Sequence, residues 1–102
     1  AGLDAISQQA LLTLASDFWY ALPVQILGAQ QGIAEPILTT SLDHCVWFHS
    51  HVDCSEWMLF ETEATVAVEG AGLKRAMIWS RDGRPIANVV QQSLARVWPG
   101  ML

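Results

Sequence analysis

The hydrophobic pattern changes once along this sequence, from a helical period to a strand period, and this change limits the elements that the chain can form. From Asp4 to about Leu22, apolar residues recur every three or four positions, at Ile6, Ala10, Leu11, Leu14, Ala15, Phe18 and Leu22. Pro23 then interrupts the pattern, and a loop follows over 28–36. After Pro36, apolar and polar residues alternate, which is typical of strands with one apolar face. The sequence therefore predicts one amphipathic or fully buried helix, capped by Asp4 or Ser7, followed only by strands.

Four segments carry the strand pattern, and they run over about 38–48, 57–68, 73–80 and 86–97. Gly70 and Gly72 indicate the turn after the second strand, and Asp82-Gly83 indicates a hairpin between the third and fourth. We therefore predict an α+β fold with the four strands in a meander. One helix leaves a sheet edge and an apolar face uncovered, so we expect a further strand on the N-terminal side or a partner sheet.

Length and charge exclude several classes of protein. The 102 residues, 52% of them hydrophobic, suit one domain with a buried core. Ten acidic residues against five basic ones give a net charge of -5, which leaves no basic surface for nucleic acid. The apolar runs are too short to span a membrane. The surplus of apolar residues is expected to contact protein instead.

Cysteine use and the chain ends bear on the compartment. The two cysteines, Cys45 and Cys54, are too few to stabilise a fold of this size through disulfide bonds. We therefore expect reduced thiols and a cytoplasmic protein. The last residues, 99–102, are not a peroxisomal Ser-Lys-Leu signal, although a peroxisomal location stays open for a eukaryotic source. The chain starts at Ala1 without an initiator Met, so we expect it to be part of a longer protein.

Two polar residues occur where apolar ones are expected. Asp17 lies in the most hydrophobic part of the helix, where a buried carboxylate needs hydrogen-bond donors; alternatively it lies with Thr13 on a stripe that faces water. Gln91 alternates with small or apolar residues, which predicts a buried amide. Such an amide either orients a bound water or a carbonyl group, or it only forms hydrogen bonds that fix the neighbouring backbone. The pattern alone leaves both pairs of alternatives open.

A cluster of potential metal ligands spans the end of the first strand and the residues after it, at His44, Cys45, His49, His51, Asp53 and Cys54. Its spacing matches no common zinc pattern. Alternation places Ser41, Asp43, Cys45, Trp47 and His49 on one face of the strand, and His44 on the other. We therefore expect no metal site and no cysteine nucleophile.

The segment Ser41–His49, Ser-Leu-Asp-His-Cys-Val-Trp-Phe-His, resembles the Ser/Thr-Leu/Ile-Asp-His-x-x-Trp-Phe-His signature of the acyl-CoA thioesterase II family. Further matches occur in the family's order at 15–17, 22–23, 57–61, 81–84 and 90–91. Chains of that family carry two hotdog domains in tandem. The resemblance implies that residues 1–102 are a single C-terminal-type hotdog domain without its opening strand, with an antiparallel sheet wrapped around one long central helix.

The resemblance also implies a site. In that family an Asp of the helix, a hydroxyl residue that opens the signature and a Gln of the last strand hold the water that hydrolyses the thioester. These positions match Asp17, Ser41 and Gln91. Ser41 is a candidate through the resemblance alone. The implied reaction has Asp17 as general base, uses no metal or cofactor, and releases fatty acid and CoA. Implied partners are acyl-CoA and a second hotdog domain, from the same chain or another protomer, in an oligomer.

Three departures from the family keep a second hypothesis open. The signature continues as Ser50-His51-Val52 instead of Arg-Pro-Phe, and Gln91 is followed by Gln92-Ser93 instead of Glu-Gly. The stretch 68–72 lacks the family's Arg. These changes affect expected acyl-CoA contacts, so the alternative is a non-catalytic hotdog half that binds acyl groups or stabilises a partner domain. A hotdog hydratase is disfavoured because its Asp/His pair is not evident.

Overall fold

A computed structural model describes residues 3–18, 37–68 and 70–97. One helix is followed by four strands, with the bounds α1 Ala5–Asp17, β1 Ile37–Phe48, β2 Met58–Val68, β3 Ala71–Ser80 and β4 Pro85–Val97. The strands form a single sheet in the order β1-β4-β3-β2, and every neighbouring pair is antiparallel. The predicted α+β class is confirmed.

The predicted meander is correct for three strands and wrong for β1. Strands β2, β3 and β4 are successive neighbours, whereas β1 pairs with β4 and leaves β2 at the opposite edge. Alternation fixes which face of a strand is apolar, but it does not say which strand lies beside it. The β3–β4 turn agrees with the prediction, since Gly83 has a φ of +86° and its N–H donates to the Ser80 carbonyl at 3.0 Å. Gly70 lies at the β2–β3 turn, whereas Gly72 lies within β3.

Helix α1 begins with the predicted cap and buries a different face from the predicted one. Asp4 is the N-cap, and its Oδ1 accepts from the Ser7 N–H at 2.7 Å. The residues that face the sheet are Gln8, Leu12 and Ser16. By contrast, most of the predicted apolar face is exposed, including Ile6, Ala10, Leu11, Leu14 and Phe18. The predicted continuation to Leu22, the interruption at Pro23 and the loop over 28–36 lie outside the described residues.

Hydrogen bonds explain why the helix turns this face toward the sheet. The Gln8 Oε1 accepts from the Cys54 N–H at 2.8 Å, and the Ser16 hydroxyl contacts His44 on β1. Leu12, between them on the same face, is fully buried in the core with Ala76, Ile78, Ala87 and Val89. Because α1 carries apolar residues on several sides, their spacing alone does not select the buried one.

A β-bulge in β1 decides which of its residues face the helix. Ser41 pairs with Ser93 and Asp43 pairs with Gln92, so Leu42 is an extra residue in the ladder. The extra residue places Ser41 and His44 on the inner face, which is the sheet face that packs against α1. Asp43 lies on the outer face. The prediction that Ser41 and Asp43 share a face, with His44 opposite, is therefore wrong.

Candidate active site

Three separate elements bring Asp17, Ser41 and Gln91 together. Gln91, on the inner face of β4, is 1% exposed. Its Nε2 donates to the Asp17 Oδ1 at 2.5 Å and to the Ser41 Oγ at 3.0 Å. The amide thus joins the last turn of α1 to the bulge in β1.

The chemistry of the amide fixes its orientation. A carboxylate only accepts hydrogen bonds, so the amide nitrogen must face Asp17, and the second hydrogen on that nitrogen serves Ser41. The Ser41 hydroxyl is the acceptor in this contact and keeps its own hydrogen for another group. Asp17 therefore contacts a buried amide and does not lie on a purely solvent-facing stripe.

The oxygen of the same amide has no hydrogen-bond partner among the residues that the structure describes. Gln91 Oε1 is buried, and burying an unpaired carbonyl oxygen costs about 1–3 kcal/mol. An O–H group of a bound water or substrate would satisfy it. The amide therefore has a free acceptor next to a carboxylate and a hydroxyl, which suits the binding of a polar molecule.

The three side chains differ in exposure. Gln91 is fully buried, Asp17 is partly buried and Ser41 is exposed. The site is therefore closed on the side formed by β4 and accessible on the side formed by β1 and the end of α1. Asp43, on the outer face, is exposed and accepts from the Gln92 N–H at 3.3 Å, so it is separated from this site by the sheet.

Ser16 and His44 form a second polar contact on the inner face, which the sequence did not single out. The Ser16 hydroxyl donates to the Thr13 carbonyl at 2.8 Å, and its Oγ lies 2.9 Å from His44 Nε2. A hydroxyl has one hydrogen, and Thr13 takes it, so His44 must be the donor to Ser16. A histidine that donates to a serine does not remove its proton. This contact is therefore not a nucleophile–base pair.

Lys74 lies on the inner face as well, and the sequence analysis missed it. It is 4% exposed, pairs with Gln91 in the β3–β4 register, and donates from Nζ to the Ser16 carbonyl at 3.0 Å. Burial lowers the pKa of its ammonium, and the negative charge of Asp17 opposes that shift. A signal was available, because Lys74 alternates with Ala76 and Ile78 on an otherwise apolar face.

The remaining candidates form no site of their own within the described parts of the chain. No three His, Cys, Asp or Glu side chains there are grouped so as to hold a metal ion. Cys45 and Cys54 are free thiols. No helix over residues 3–18, 37–68 and 70–97 is long and apolar enough to cross a membrane.

Comparison with known sequences identifies relatives over most of the chain. Residues 3–95 match the family described as acyl-CoA thioesterase C-terminal domain. Acyl-CoA thioesterase 2 of Haemophilus influenzae is 34% identical over 94 residues, which cover 92% of this chain and 33% of that protein. The present chain therefore spans about a third of the length of this relative.

Solved structures have the same fold. Acyl-CoA thioesterase II TesB2 of Mycobacterium marinum matches with a TM-score of 0.59 and 31% identity, over 63% of this chain and 25% of that one. A tesB protein of Mycobacterium avium subs paratuberculosis matches with a TM-score of 0.79 and 20% identity, over 94% of this chain and 37% of that one, which shows the fold alone. The expected hotdog fold is confirmed, although the described helix has only 13 residues. The match over residues 3–95 and the 34% identity with the Haemophilus influenzae protein show that the chain belongs to the acyl-CoA thioesterase II family and corresponds to its C-terminal domain.

Proposed function

We propose that the protein containing this chain hydrolyses acyl-CoA thioesters, with Asp17, Ser41 and Gln91 as the groups that activate water. The observation that carries the proposal is the pair of hydrogen bonds from the Gln91 amide to the Asp17 carboxylate and the Ser41 hydroxyl. The acyl-CoA substrate class is supported by the names of the relatives in Haemophilus influenzae and Mycobacterium marinum.

Each of the three residues has a separate task in this reaction. Asp17 accepts a proton from water as the water oxygen attacks the thioester carbonyl carbon. The Gln91 Oε1 accepts the second hydrogen of that water, and the Ser41 Oγ fixes its direction. The tetrahedral intermediate then collapses, the C–S bond breaks, and CoA leaves as a thiolate that takes up a proton. The fatty acid retains the oxygen that came from water.

The arrangement favours direct attack by water over a covalent intermediate. Gln91 holds Oδ1 of Asp17, and the unpaired Gln91 Oε1 offers water an acceptor on the same amide. Base catalysis by one group contributes about 10²–10⁴-fold to the rate. Orientation of water and substrate and stabilisation of the oxyanion, for which backbone donors are expected, supply the remainder.

We further propose that residues 1–102 form the C-terminal hotdog of a tandem chain, and that a second hotdog covers the exposed side of α1. Two observations support this arrangement. The chain spans 33% of its relative in Haemophilus influenzae, and Ile6, Leu14 and Phe18 on α1 are 77%, 55% and 66% exposed. Contiguous exposed apolar surface of this kind marks a contact with protein. The two free thiols suit the cytoplasm as the compartment.

Steady-state release of thiol from acyl-CoA by the complete protein tests the proposed activity. A series of acyl chain lengths should include at least one substrate that is turned over. Asp17→Asn keeps the size of the side chain and removes the base, so kcat/KM should fall about 10²–10⁴-fold. Asp43→Asn is the matched control, because Asp43 lies on the opposite face of the sheet, and it should leave the rate unchanged.

Equal rates for wild type and Asp17→Asn would refute the assignment of the base. Binding of acyl-CoA without turnover at any chain length would instead support the non-catalytic half. One structural feature favours this second candidate. Ser50 donates to the Pro85 carbonyl at 2.8 Å and Val52 is buried in the core, so the segment that replaces Arg-Pro-Phe offers CoA no cation at these two positions.

A further inference from the structure

Lys74 brings a positive charge into the buried, largely apolar inner face of the sheet. Its side chain is 4% exposed, and its strand neighbours on the inner face, Ala76 and Ile78, are buried and apolar. Removing an ammonium from water costs several kcal/mol unless an acceptor or an opposite charge compensates. Lys74 therefore needs a compensating group, and the end of α1 supplies it.

One hydrogen bond and one electrostatic interaction connect Lys74 with the last turn of α1. Its Nζ donates to the Ser16 carbonyl at 3.0 Å, and this carbonyl is among the last four of the helix, which lack partners within it. The next residue, Asp17, carries the negative charge that opposes the effect of burial on the pKa of Lys74. A cation at a helix C-terminus also interacts favourably with the helix dipole.

The sheet places the same ammonium beside the candidate site. Lys74 pairs directly with Gln91 across β3 and β4, while His44 pairs with Gln91 from β1. His44 and Lys74 are the ionisable side chains described on the inner face of the sheet, and Asp17 faces them from α1. His44 contacts Ser16, whereas Lys74 interacts with the Asp17 charge. Of these two groups, Lys74 is therefore the one that acts on the carboxylate.

We propose that Lys74 is a positioning residue whose buried ammonium holds the last turn of α1 on the sheet and balances the charge of Asp17 beside the Gln91 amide. The catalytic consequence rests on the proposed function, whereas the link between Lys74 and Asp17 does not. Lys74 contacts neither the water nor the thioester in this proposal. Its effect on the rate is transmitted through the placement and ionisation of Asp17.

The first test is the dependence of kcat/KM on pH for the complete protein and its Lys74→Met variant. Methionine has a similar shape and no charge. Without the ammonium, the carboxylate of Asp17 loses a nearby positive charge, so the midpoint of the acid limb should move to higher pH. Arg75→Met is the matched control, because Arg75 is the adjacent residue and is exposed. Its guanidinium forms a 2.8 Å ion pair with Glu63, which is not part of the candidate site. The control should keep the wild-type midpoint, and an unchanged midpoint in Lys74→Met would overturn the proposal.

The second test is a double-mutant cycle that does not require activity. Thermal unfolding midpoints are measured for wild type, Asp17→Asn, Lys74→Met and the double variant. If the two charges interact, the change caused by Lys74→Met should differ between the wild-type and Asp17→Asn backgrounds. Equal changes in both backgrounds would overturn the link between the two residues. Because this readout does not use thioester hydrolysis, failure of the proposed function would leave it intact.

Discussion

Gln91 occupies the centre of the site because one primary amide satisfies the carboxylate of Asp17 and the hydroxyl of Ser41 at the same time. Its Nε2 serves both neighbours, at 2.5 Å and 3.0 Å, and its buried Oε1 has no hydrogen-bond partner among the described residues. A single buried side chain therefore controls the relative positions of the base and the hydroxyl. Loss of that side chain should disturb the site without removing the base.

We expect Ser41→Ala and Gln91→Ala to lower the plateau of kcat/KM while leaving an acid limb in the pH profile. Neither side chain titrates in the working range, so both variants keep a base that must be ionised. The loss should be larger for Gln91→Ala, about 10²-fold, because the amide positions both of its neighbours. Rate profiles of the complete protein across the acid limb and the plateau check this. A variant with no acid limb would contradict the separation of roles.

The residues of the site differ in how far the sequence could predict them. Gln91 stood out because its alternating neighbours are small or apolar, and Ser41 stood out only through a family signature. Lys74 was missed although it shares an apolar strand face, because a single lysine in a strand is normally exposed to water. Its partner, the Ser16 carbonyl, belongs to the backbone and leaves no trace in the sequence.

At the scale of elements, the bulge in β1 has the largest effect on the site. Leu42 is the additional residue, and it allows Ser41 and His44 to share the inner face although three positions separate them. Alternation along the sequence assumes an unbroken ladder, so it wrongly placed Ser41 with Asp43. The bounds of the strands were predicted well because the turn residues mark them, whereas a bulge is set by the pairing with β4.

Helix α1 is held to the sheet by polar contacts as well as by the core, and these contacts set the orientation of Asp17. Gln8 lies two turns before Ser16 on the face that meets the sheet, and its Oε1 accepts from the Cys54 N–H at 2.8 Å. The apolar periodicity predicted the existence of the helix. It did not predict this face, because the burial of Gln8 and Ser16 depends on hydrogen-bond partners elsewhere in the chain.

We expect Gln8→Ala to lower the free energy of unfolding by about 1–2 kcal/mol, because the Cys54 N–H loses its acceptor in a partly buried place. Urea unfolding of the complete protein measures the change. Gln9→Ala is the matched control, since it makes the same substitution at the neighbouring, less buried position of the helix. Equal effects of the two substitutions would show that the contact with Cys54 contributes nothing.

At the scale of the whole molecule, the residues that the structure describes leave much apolar surface uncovered. The exposed side chains lie on α1, at Ile6 and Leu14, and on the outer side of the sheet, at Trp47 and Leu59. β1 and β2 are the two edges of the sheet. Unpaired edges and exposed apolar patches of this kind normally contact further protein. The composition predicted this surplus of apolar residues.

We therefore expect the isolated 102-residue segment to self-associate at micromolar concentration. Burial of exposed leucine and tryptophan side chains between copies would reduce their contact with water. Sedimentation velocity of the purified segment over a range of concentrations checks this expectation. A compact monomer at every concentration would show that the exposed side of α1 needs no cover.

The pH profile of kcat/KM for the complete protein and its Asp17→Asn variant tests the central claim most directly, because kcat/KM reports the groups of the free enzyme. The wild type should lose activity at low pH as one carboxylate is protonated. Asp17→Asn should lose most of the rate and the acid limb together. An Asp17→Asn variant that keeps the wild-type acid limb would contradict the account, because the base that titrates would then be another group.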